Sequence, residues 1–278
     1  MIDDRIKGVI SEINHLSEST KKIYSIYLSN FSTWLKGEDS DIMNLTRFDV
    51  QSFIDYLVAV KKAKASTINV YMHAIKAFAK KTNQILATEN IRHPKRANVL
   101  MLSPKSLSRI EVNRLLRAVE RDGNLRNIAI VYLLLHTGIR VGELVNLERE
   151  DVELSERKGM LRIRKTKNMH ERTVPIPAEA RFHLDKYLST RNDNDKWLFV
   201  GERGKLTSRG VQIMLKRYDV HPHLLRHTYI RRLVDSGVDI ATVAELAGHL
   251  DINVTRRYAK PNMDEIAETI EQHFGKEK

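Results

Sequence analysis

A break in hydrophobic periodicity at residues 91–106 sets the architecture of this chain. The segment holds two prolines and four lysines or arginines, and it shows no helical period. Because proline interrupts both helices and sheet ladders, we predict an extended basic linker here. The linker divides the 278 residues into a first domain over 1–90 and a second domain over 107–278, each long enough to bury its own core.

The first domain is predicted to consist of helices. Apolar residues recur there at helical spacing in three stretches, preceded by residues that commonly cap helices: Ser19 and Thr20, Thr46 with Asp49, and Ser66 with Thr67. The third stretch puts its apolar residues on one face, and its other face carries Asn69, His73, Lys76 and Lys80. That polar face fits either an ordinary solvated surface or contact with DNA.

The second domain has a mixed pattern. It begins with an amphipathic helix that Ser108 and Glu111 are placed to cap, and the apolar stretch 127–136 predicts a buried helix ending at Gly138. Alternating residues at 159–164 and 171–176 flank a lysine-rich turn and predict a β-hairpin. Helical patterns resume after residue 200. The predicted fold class is therefore mainly α with a small β-hairpin.

The charge of the chain points to a polyanionic partner. The formal net charge is +12 and the isoelectric point is near 9.7, which favours binding to nucleic acid, although charge alone also fits a merely basic protein. The absence of cysteine excludes disulfides, thiolate metal sites and cysteine nucleophiles. No signal-peptide pattern opens the sequence, and the longest apolar run is too short to span a bilayer. We therefore expect a cytoplasmic protein without membrane contact.

A set of polar residues in the second domain suggests phosphoryl-transfer chemistry: Arg140, His223, Arg226, His249 and Tyr258. Two guanidiniums can clamp a phosphate, imidazoles can hold or move a proton, and a phenol can attack phosphorus. Each residue alone also has a structural explanation. Arg140 has Glu143 and Glu148 nearby as ion-pair partners, and a tyrosine on a helix is usually a core residue.

The spacing of His223 and His227 raises the question of a metal site, because residues four apart share one helix face. An arginine lies between them and would repel a cation, and no glutamate accompanies them. We therefore predict no metal and no cofactor. His227 is interpreted as a buried histidine with hydrogen-bonded neighbours.

Three motifs resemble those of the tyrosine recombinase (phage integrase) family, and most closely its short Xer-like members. They are Thr-Gly-Ile-Arg-Val-Gly-Glu-Leu at 137–144, His-Leu-Leu-Arg-His-Thr at 223–228, and Leu-Ala-Gly-His-Leu at 246–250 followed by Tyr258. The helical stretches of the first domain are similar to the family's core-binding domain, so the resemblance covers nearly the whole chain. It implies a core-binding domain and a catalytic domain that form a C-shaped clamp around DNA.

The resemblance also implies a role for each residue of the site. Tyr258 would attack a DNA phosphate held by Arg140 and Arg226, giving a 3′-phosphotyrosyl link and a 5′ hydroxyl. His223 would act as the base, Lys167 would protonate the leaving 5′ oxygen, and His249 would hydrogen-bond the phosphate. Lys165 competes with Lys167 for its role, because the turn lacks the glycines common in Xer-like members. Glu143 matches the family's acidic residue.

The implied partner is double-stranded DNA with inverted-repeat core sites. A predicted tail helix, 262–274, carries an apolar stripe that either packs on its own domain or, as in the family, docks on a neighbouring subunit of a synaptic tetramer. The favoured role is resolution of transposon cointegrates or integration of a mobile element. Xer-type resolution of chromosome dimers, relaxation like that of type IB topoisomerases, and an inactive DNA-binding regulator remain alternatives.

Overall fold

A computed structural model of the chain describes residues 3–94, 104–164, 171–202, 204–259 and 271. The chain forms two compact units, Met1–Val99 and Leu100–Lys278, so the boundary between them falls inside the segment predicted to be a linker. The middle of that segment, the turn with Lys165 and Lys167, and the predicted tail helix except residue 271 lie outside the described residues.

The first unit is helical. Its elements are α1 (Asp4–Ser11), α2 (Glu18–Gly37), α3 (Arg47–Ala59), α4 (Ala65–Lys81) and a 3-10 turn (Ile85–Thr88). The capping box of Thr46 and Asp49 at the start of α3 is confirmed. The predicted caps of α2 and α4 are wrong: Ser17 caps α2, and α4 begins earlier than predicted, after Lys64 without a side-chain cap.

Aromatic rings form much of the core of this unit. The Phe31 and Phe53 ring centroids lie 4.6 Å apart, and Tyr27 meets Tyr71 edge to face at 4.5 Å. The face of α4 predicted to be apolar is buried, and it contributes Ile68, Tyr71, Ile75, Phe78 and Ala79 to the core. On the opposite face His73, Lys76 and Lys80 are exposed, which leaves their side chains available to a ligand of the surface.

The second unit combines eight helices, two short antiparallel sheets and a 3-10 turn within its described part. The helices are α5 (Arg109–Arg121), α6 (Leu125–Thr137), α7 (Val141–Leu144), α8 (Ala178–Leu188), α9 (Ser208–Lys216), α10 (Pro222–Asp235), α11 (Ile240–Ala247) and α12 (Ile252–Arg256). The strands are β1 (Val152–Leu154), β2 (Gly159–Ile163), β3 (Arg172–Pro175), β4 (Val200–Gly201) and β5 (Gly204–Lys205), and the 3-10 turn is Arg149–Asp151.

The helix α6 is the centre of the second unit. Nearly all of its side chains are buried, and it packs against α5, α8 and α10. The capping box of Ser108 and Glu111 at the start of α5 is confirmed, and so is the end of α6 at Gly138, which has a left-handed φ of 62°. These local signals fix where the helices begin and end because they satisfy backbone groups that lack a partner within the helix.

The predicted hairpin is present as β2 and β3, with Leu161 opposite Val174. The strand β1, which the sequence did not reveal, pairs with the other edge of β2 and completes a three-stranded sheet. Alternation along β2 and β3 turns Leu161, Ile163 and Val174 into the core. The fold is thus mainly helical with small sheets, as predicted, and no helix in the described ranges is long and apolar enough to cross a membrane.

Candidate active site

The carboxyl end of α11 gathers three arginines from distant parts of the chain. The last carbonyls of a helix lack partners within it and carry the negative end of the helix dipole. Here the carbonyl oxygens of residues 246–248 accept hydrogen bonds from guanidiniums. Arg172 Nε donates to residue 246 at 3.0 Å, Arg226 donates to residue 247, and Arg140 Nη2 donates to residue 248 at 2.9 Å. A local backbone feature therefore positions the two arginines predicted for the site, together with a third.

Arg226 is the most deeply placed of the three. It lies on α10, is 4% exposed, and donates to the carbonyl oxygens of Gly138 and Ala247. Burial, with the neighbouring charge of Arg140, lowers the pKa of Arg226 to about 10, so the side chain stays charged at neutral pH. Position 138 also needs glycine for packing, because a Cβ there would lie 2.1 Å from Cδ1 of Tyr229.

Arg140 directly precedes α7 and contacts Glu143 in two ways. Its backbone N–H donates to Glu143 Oε2 at 2.7 Å, and its Nη1 lies 3.3 Å from Glu143 Oε1. Arg140 therefore forms an ion pair with Glu143 and at the same time lies beside Arg226 at the end of α11. The apolar residues Val141, Leu144 and Leu147 predict a helix that extends to Leu147. That prediction is wrong, because α7 ends at Leu144.

A buried ion pair of Arg172 and Glu143 ties the hairpin to this group. The two side chains are 7% and 6% exposed, and the guanidinium binds both carboxylate oxygens, at 2.9 Å and 2.8 Å. Burial alone would raise the pKa of the Glu143 carboxyl. The hydrogen bonds from Arg172 and from the Arg140 backbone outweigh that effect and hold the pKa below its usual range. The carboxylate is therefore ionised and offsets part of the positive charge of the site.

Arg172 was not among the predicted site residues, although the sequence carried a signal for it. Residues at alternate positions of a strand share one face, so Arg172 lies on the same side of β3 as the buried Val174. A charged side chain on a core-facing position requires a buried partner of opposite charge. The partner itself, Glu143, is 29 residues away in sequence and was not predictable from β3.

Tyr258 lies in a turn after α12, which ends at Arg256, so its predicted position on the helix is wrong. The residue is 2% exposed, and it packs with Tyr229, Ile230, Val243 and Ala247. Burial raises the pKa of the Tyr258 phenol to about 12, against the opposing effect of nearby arginines. The phenol is therefore protonated at neutral pH in the isolated protein.

His227 contacts the hydroxyl of Tyr258. Its Nδ1 makes a short hydrogen bond with the Tyr258 hydroxyl, and the two ring centroids are 5.8 Å apart. Burial and the nearby positive groups of His223 and Arg226 lower the pKa of His227 to about 4, so the imidazole is neutral at neutral pH. A neutral imidazole nitrogen can accept a hydrogen bond from the phenol O–H group.

His223 lies one turn earlier on α10 and is exposed. Its ring centroid is 6.3 Å from that of His227, and it lines an open cavity of about 580 Å³ with Arg140, Glu143 and Arg164. Partial desolvation and the charge of Arg226 lower the pKa of His223. The predicted base thus faces the cavity beside Arg140, whereas the hydroxyl of Tyr258 is bonded to His227.

His249 follows α11, which ends at Gly248 in a left-handed conformation. The Nδ1 atom of His249 lies 2.8 Å from Oγ1 of the buried Thr255. Burial and the charge of Arg226 lower the pKa of His249 to about 4, so this imidazole is also neutral at neutral pH. In the described ranges no cluster of histidine, aspartate and glutamate side chains could hold a metal ion.

Lys167 and its alternative Lys165 lie outside the described residues, so their placement stays a prediction. The described residues on either side of their turn are close to the site. Arg164 lines the cavity beside Arg140, and Glu171 lines a smaller cavity beside His249.

Comparison with known proteins identifies a family for both units. Residues 105–265 match the phage integrase family, and residues 4–89 match the N-terminal SAM-like domain of phage integrases. Tyrosine recombinase XerA of Pyrococcus furiosus is 32% identical over 94% of this chain and 90% of the relative, and tyrosine recombinase XerC of Staphylococcus aureus is 30% identical over 92% and 91%. The crystal structure of XerH recombinase bound to its difH substrate superposes with a TM-score of 0.71 at 19% identity, covering 96% of this chain and 83% of XerH.

Proposed function

Because this chain belongs to the phage integrase family of tyrosine site-specific recombinases, we propose that Arg140, Arg226 and Tyr258 carry out its strand cleavage and rejoining. One observation carries the proposal. Both guanidiniums donate to the carbonyl oxygen of Ala247, and the ring of Tyr258 packs in the same cluster as that residue. Two cationic groups and a phenol are thereby held around the end of one helix.

The two guanidiniums would bind the non-bridging oxygens of a DNA phosphate and stabilise the charge that builds up on phosphorus during attack. The Tyr258 oxygen forms a bond to phosphorus, and the bond from phosphorus to the 5′ oxygen breaks. The phenolic proton passes to a base, and the 5′ oxygen leaves as a hydroxyl after gaining a proton. The phosphotyrosyl ester retains the bond energy, so the 5′ hydroxyl of another strand can reverse the reaction without ATP.

The remaining residues would manage these protons. His223 faces the cavity beside Arg140 and is the proposed base, and Lys167 is the proposed acid for the 5′ oxygen. With His249 Nδ1 accepting from the Thr255 hydroxyl, its Nε2 carries a hydrogen and can donate to the phosphate. Because burial raises the pKa of Tyr258 to about 12, the phenol stays protonated until the base removes its proton during attack.

We propose that the enzyme acts in the cytoplasm as a synaptic tetramer on pairs of inverted-repeat core sites. Its tail, 262–274, would dock on the neighbouring subunit, and the two domains would clamp the duplex. The net charge of +12 and the exposed His73, Lys76 and Lys80 of α4 support DNA contact by both domains. The XerH structure, which matches the fold of both units, contains that recombinase bound to its DNA substrate.

For the biological role we propose resolution or integration of a mobile element, with cointegrate resolution favoured. The support is the departure of this chain from the Xer-like pattern around Lys167, where the turn lacks glycines. Xer-type resolution of chromosome dimers is the second candidate, and the curated relatives named XerA and XerC favour it. Recovery and sequencing of genomic DNA covalently bound to the enzyme separates the two. Adducts within a mobile element support the first role, and adducts at a chromosomal site outside any mobile element support the second.

Replacement of Tyr258 by Phe tests the proposed chemistry. The variant lacks the attacking oxygen, so we expect it to form no SDS-resistant adduct with DNA while binding DNA like the wild type. Tyr229→Phe is the matched control, because it removes a hydroxyl from a buried tyrosine of the same cluster, and we expect it to retain the adduct. An adduct that persists in Tyr258→Phe would show that another residue is the nucleophile. Efficient relaxation of a plasmid without any recombination site would instead favour topoisomerase-like activity.

A further inference from the structure

The reactive oxygen of Tyr258 is held by a residue that has no role in the proposed chemistry. We propose that His227 is a positioning residue for the nucleophile: its Nδ1 accepts the hydrogen of the Tyr258 hydroxyl and sets the direction in which that oxygen faces. The inference rests on the proposed role of Tyr258 and adds a residue to it.

The location of His227 makes it suitable for this role. It follows Arg226 directly on α10, and Arg226 is anchored to the carbonyl oxygens of Gly138 and Ala247. The backbone of His227 is therefore fixed relative to the guanidinium proposed to bind phosphate. The hydrogen bond that the Tyr258 hydroxyl donates to His227 fixes that hydroxyl relative to the same guanidinium.

A second contact from the same helix holds the other end of Tyr258. Arg231, one turn after His227, donates from Nη1 to the Tyr258 carbonyl oxygen at 3.4 Å. The backbone and the hydroxyl of Tyr258 are thus both bonded to α10, although the residue lies in a turn where no helix of its own holds it. Two bonds to one rigid element restrict the rotation of the side chain between them.

The charges around His227 keep it able to accept this bond. His221, His223, Arg226 and Arg257 are the titratable groups that oppose its protonation, and together with burial they keep the imidazole neutral. A protonated imidazole carries a hydrogen on both nitrogens and offers no acceptor. The same positive groups, Arg226 and Arg257, favour the ionised phenol, so they act in the same direction on both partners of the bond.

The geometry predicts which substitutions preserve the role. Asparagine places its amide oxygen close to the position of Nδ1, whereas glutamine extends toward the position of Nε2. We therefore expect His227→Asn to keep a hydrogen bond to Tyr258, and His227→Gln and His227→Ala to lose it. Because asparagine and glutamine are both uncharged amides, a difference between them reports the position of the acceptor.

The test measures single-turnover formation of the SDS-resistant adduct on a duplex that carries the genomic site recovered with the wild-type enzyme. We expect His227→Ala and His227→Gln to form it roughly tenfold or more slowly than the wild type, and His227→Asn to stay within about threefold. His183→Asn is the control, since His183 is a half-buried histidine that packs on Tyr132 in the same unit.

Wild-type rates in the Ala and Gln variants, or an Asn variant as slow as those two, would overturn the inference. A fall in the His183→Asn control as large as that of His227→Ala would also overturn it, because the effect would then reflect folding. Failure of the proposed function looks different. In that case the wild-type enzyme itself forms no adduct that Tyr258→Phe abolishes.

Discussion

Arg172 illustrates how single residues hold this site together. It binds both oxygens of Glu143 and also the carbonyl oxygen of residue 246, so one side chain links β3, α7 and α11. Lysine cannot make these contacts at once, because its ammonium lacks the planar fork of a guanidinium. Arg172 thus helps to position Arg140 through their shared neighbours, Glu143 and the end of α11.

We expect Arg172→Ala to lower the free energy of unfolding by about 3 kcal/mol, because it leaves the buried Glu143 carboxylate without its main partner. Chemical denaturation measures this loss. Arg162→Ala is the matched control: Arg162 lies on the neighbouring strand, its side chain is 48% exposed, and its removal should change stability by less than about 1 kcal/mol. Equal losses in the two variants would contradict a special role for the Arg172–Glu143 pair.

At this scale the sequence predicts residue types better than contacts. The motifs single out Arg140, Arg226, His249 and Tyr258, and the structure places all four around the end of α11 and the turn that follows it. The bond between His227 and Tyr258 joins residues 31 positions apart. No local pattern encodes such a contact, so the neutral histidine beside Tyr258 appears only once the helices are packed.

At the scale of elements, the junction of α6 and α7 decides where Arg140 and Arg226 meet. Gly138 ends α6 in a left-handed conformation, its carbonyl oxygen accepts from Arg226, and its α-carbon faces the ring of Tyr229. The junction therefore combines a backbone requirement and a packing requirement at one residue. Glycine meets both because it has no Cβ.

We expect Gly138→Ala to destabilise the protein by roughly 3 kcal/mol, from left-handed strain together with a clash against Tyr229. Gly123→Ala separates the two effects. Gly123 has a similar φ of 69°, but a Cβ there meets no atom within 4 Å, so only the strain of about 1 kcal/mol should appear. Urea denaturation of both variants makes the comparison. A Gly138→Ala loss no larger than that of Gly123→Ala would show that the Tyr229 ring moves aside freely.

Capping residues in the sequence predict a helix end only where nearby residues determine that end. The caps at Thr46, Ser108 and Gly138 are correct because each satisfies backbone groups within a few residues. The predicted extent of α7 fails for a tertiary reason. Glu148 forms an extended bridge with Trp197, and the N–H of Leu198 donates to the carbonyl oxygen of Leu147. This pairing with a distant part of the chain ends the helix early.

At the scale of the whole molecule, five described histidines of the catalytic domain share one electrostatic property. His136, His183, His223, His227 and His249 all have a pKa below the ordinary value of 6.5, with desolvation as the largest cause in each case. The fold therefore favours their neutral forms. In the unfolded chain the same histidines have the ordinary pKa of about 6.5.

We expect thermal stability to fall as the pH is lowered from about 7.5 to about 5.5. Below the ordinary histidine pKa of 6.5 the unfolded chain binds protons that the folded chain does not, so stability is present above that pH and declines toward the folded values, about 4 for His227 and His249. Circular dichroism melts at the two pH values measure the effect. A variant with His227→Asn and His249→Asn should lose less stability over this range, and an unchanged or higher melting temperature at the lower pH would contradict the prediction.

The anchors at the end of α11 are main-chain atoms, and this has a consequence for sequence divergence. A carbonyl oxygen is present whatever side chain its residue carries, so Arg140, Arg172 and Arg226 keep their anchor points when position 246 is substituted. The side chain is constrained at the fully buried Ala247 and at Gly248, whose left-handed φ of 64° favours glycine. Position 246 can therefore diverge in sequence over evolutionary time while the spacing of the guanidiniums is inherited unchanged.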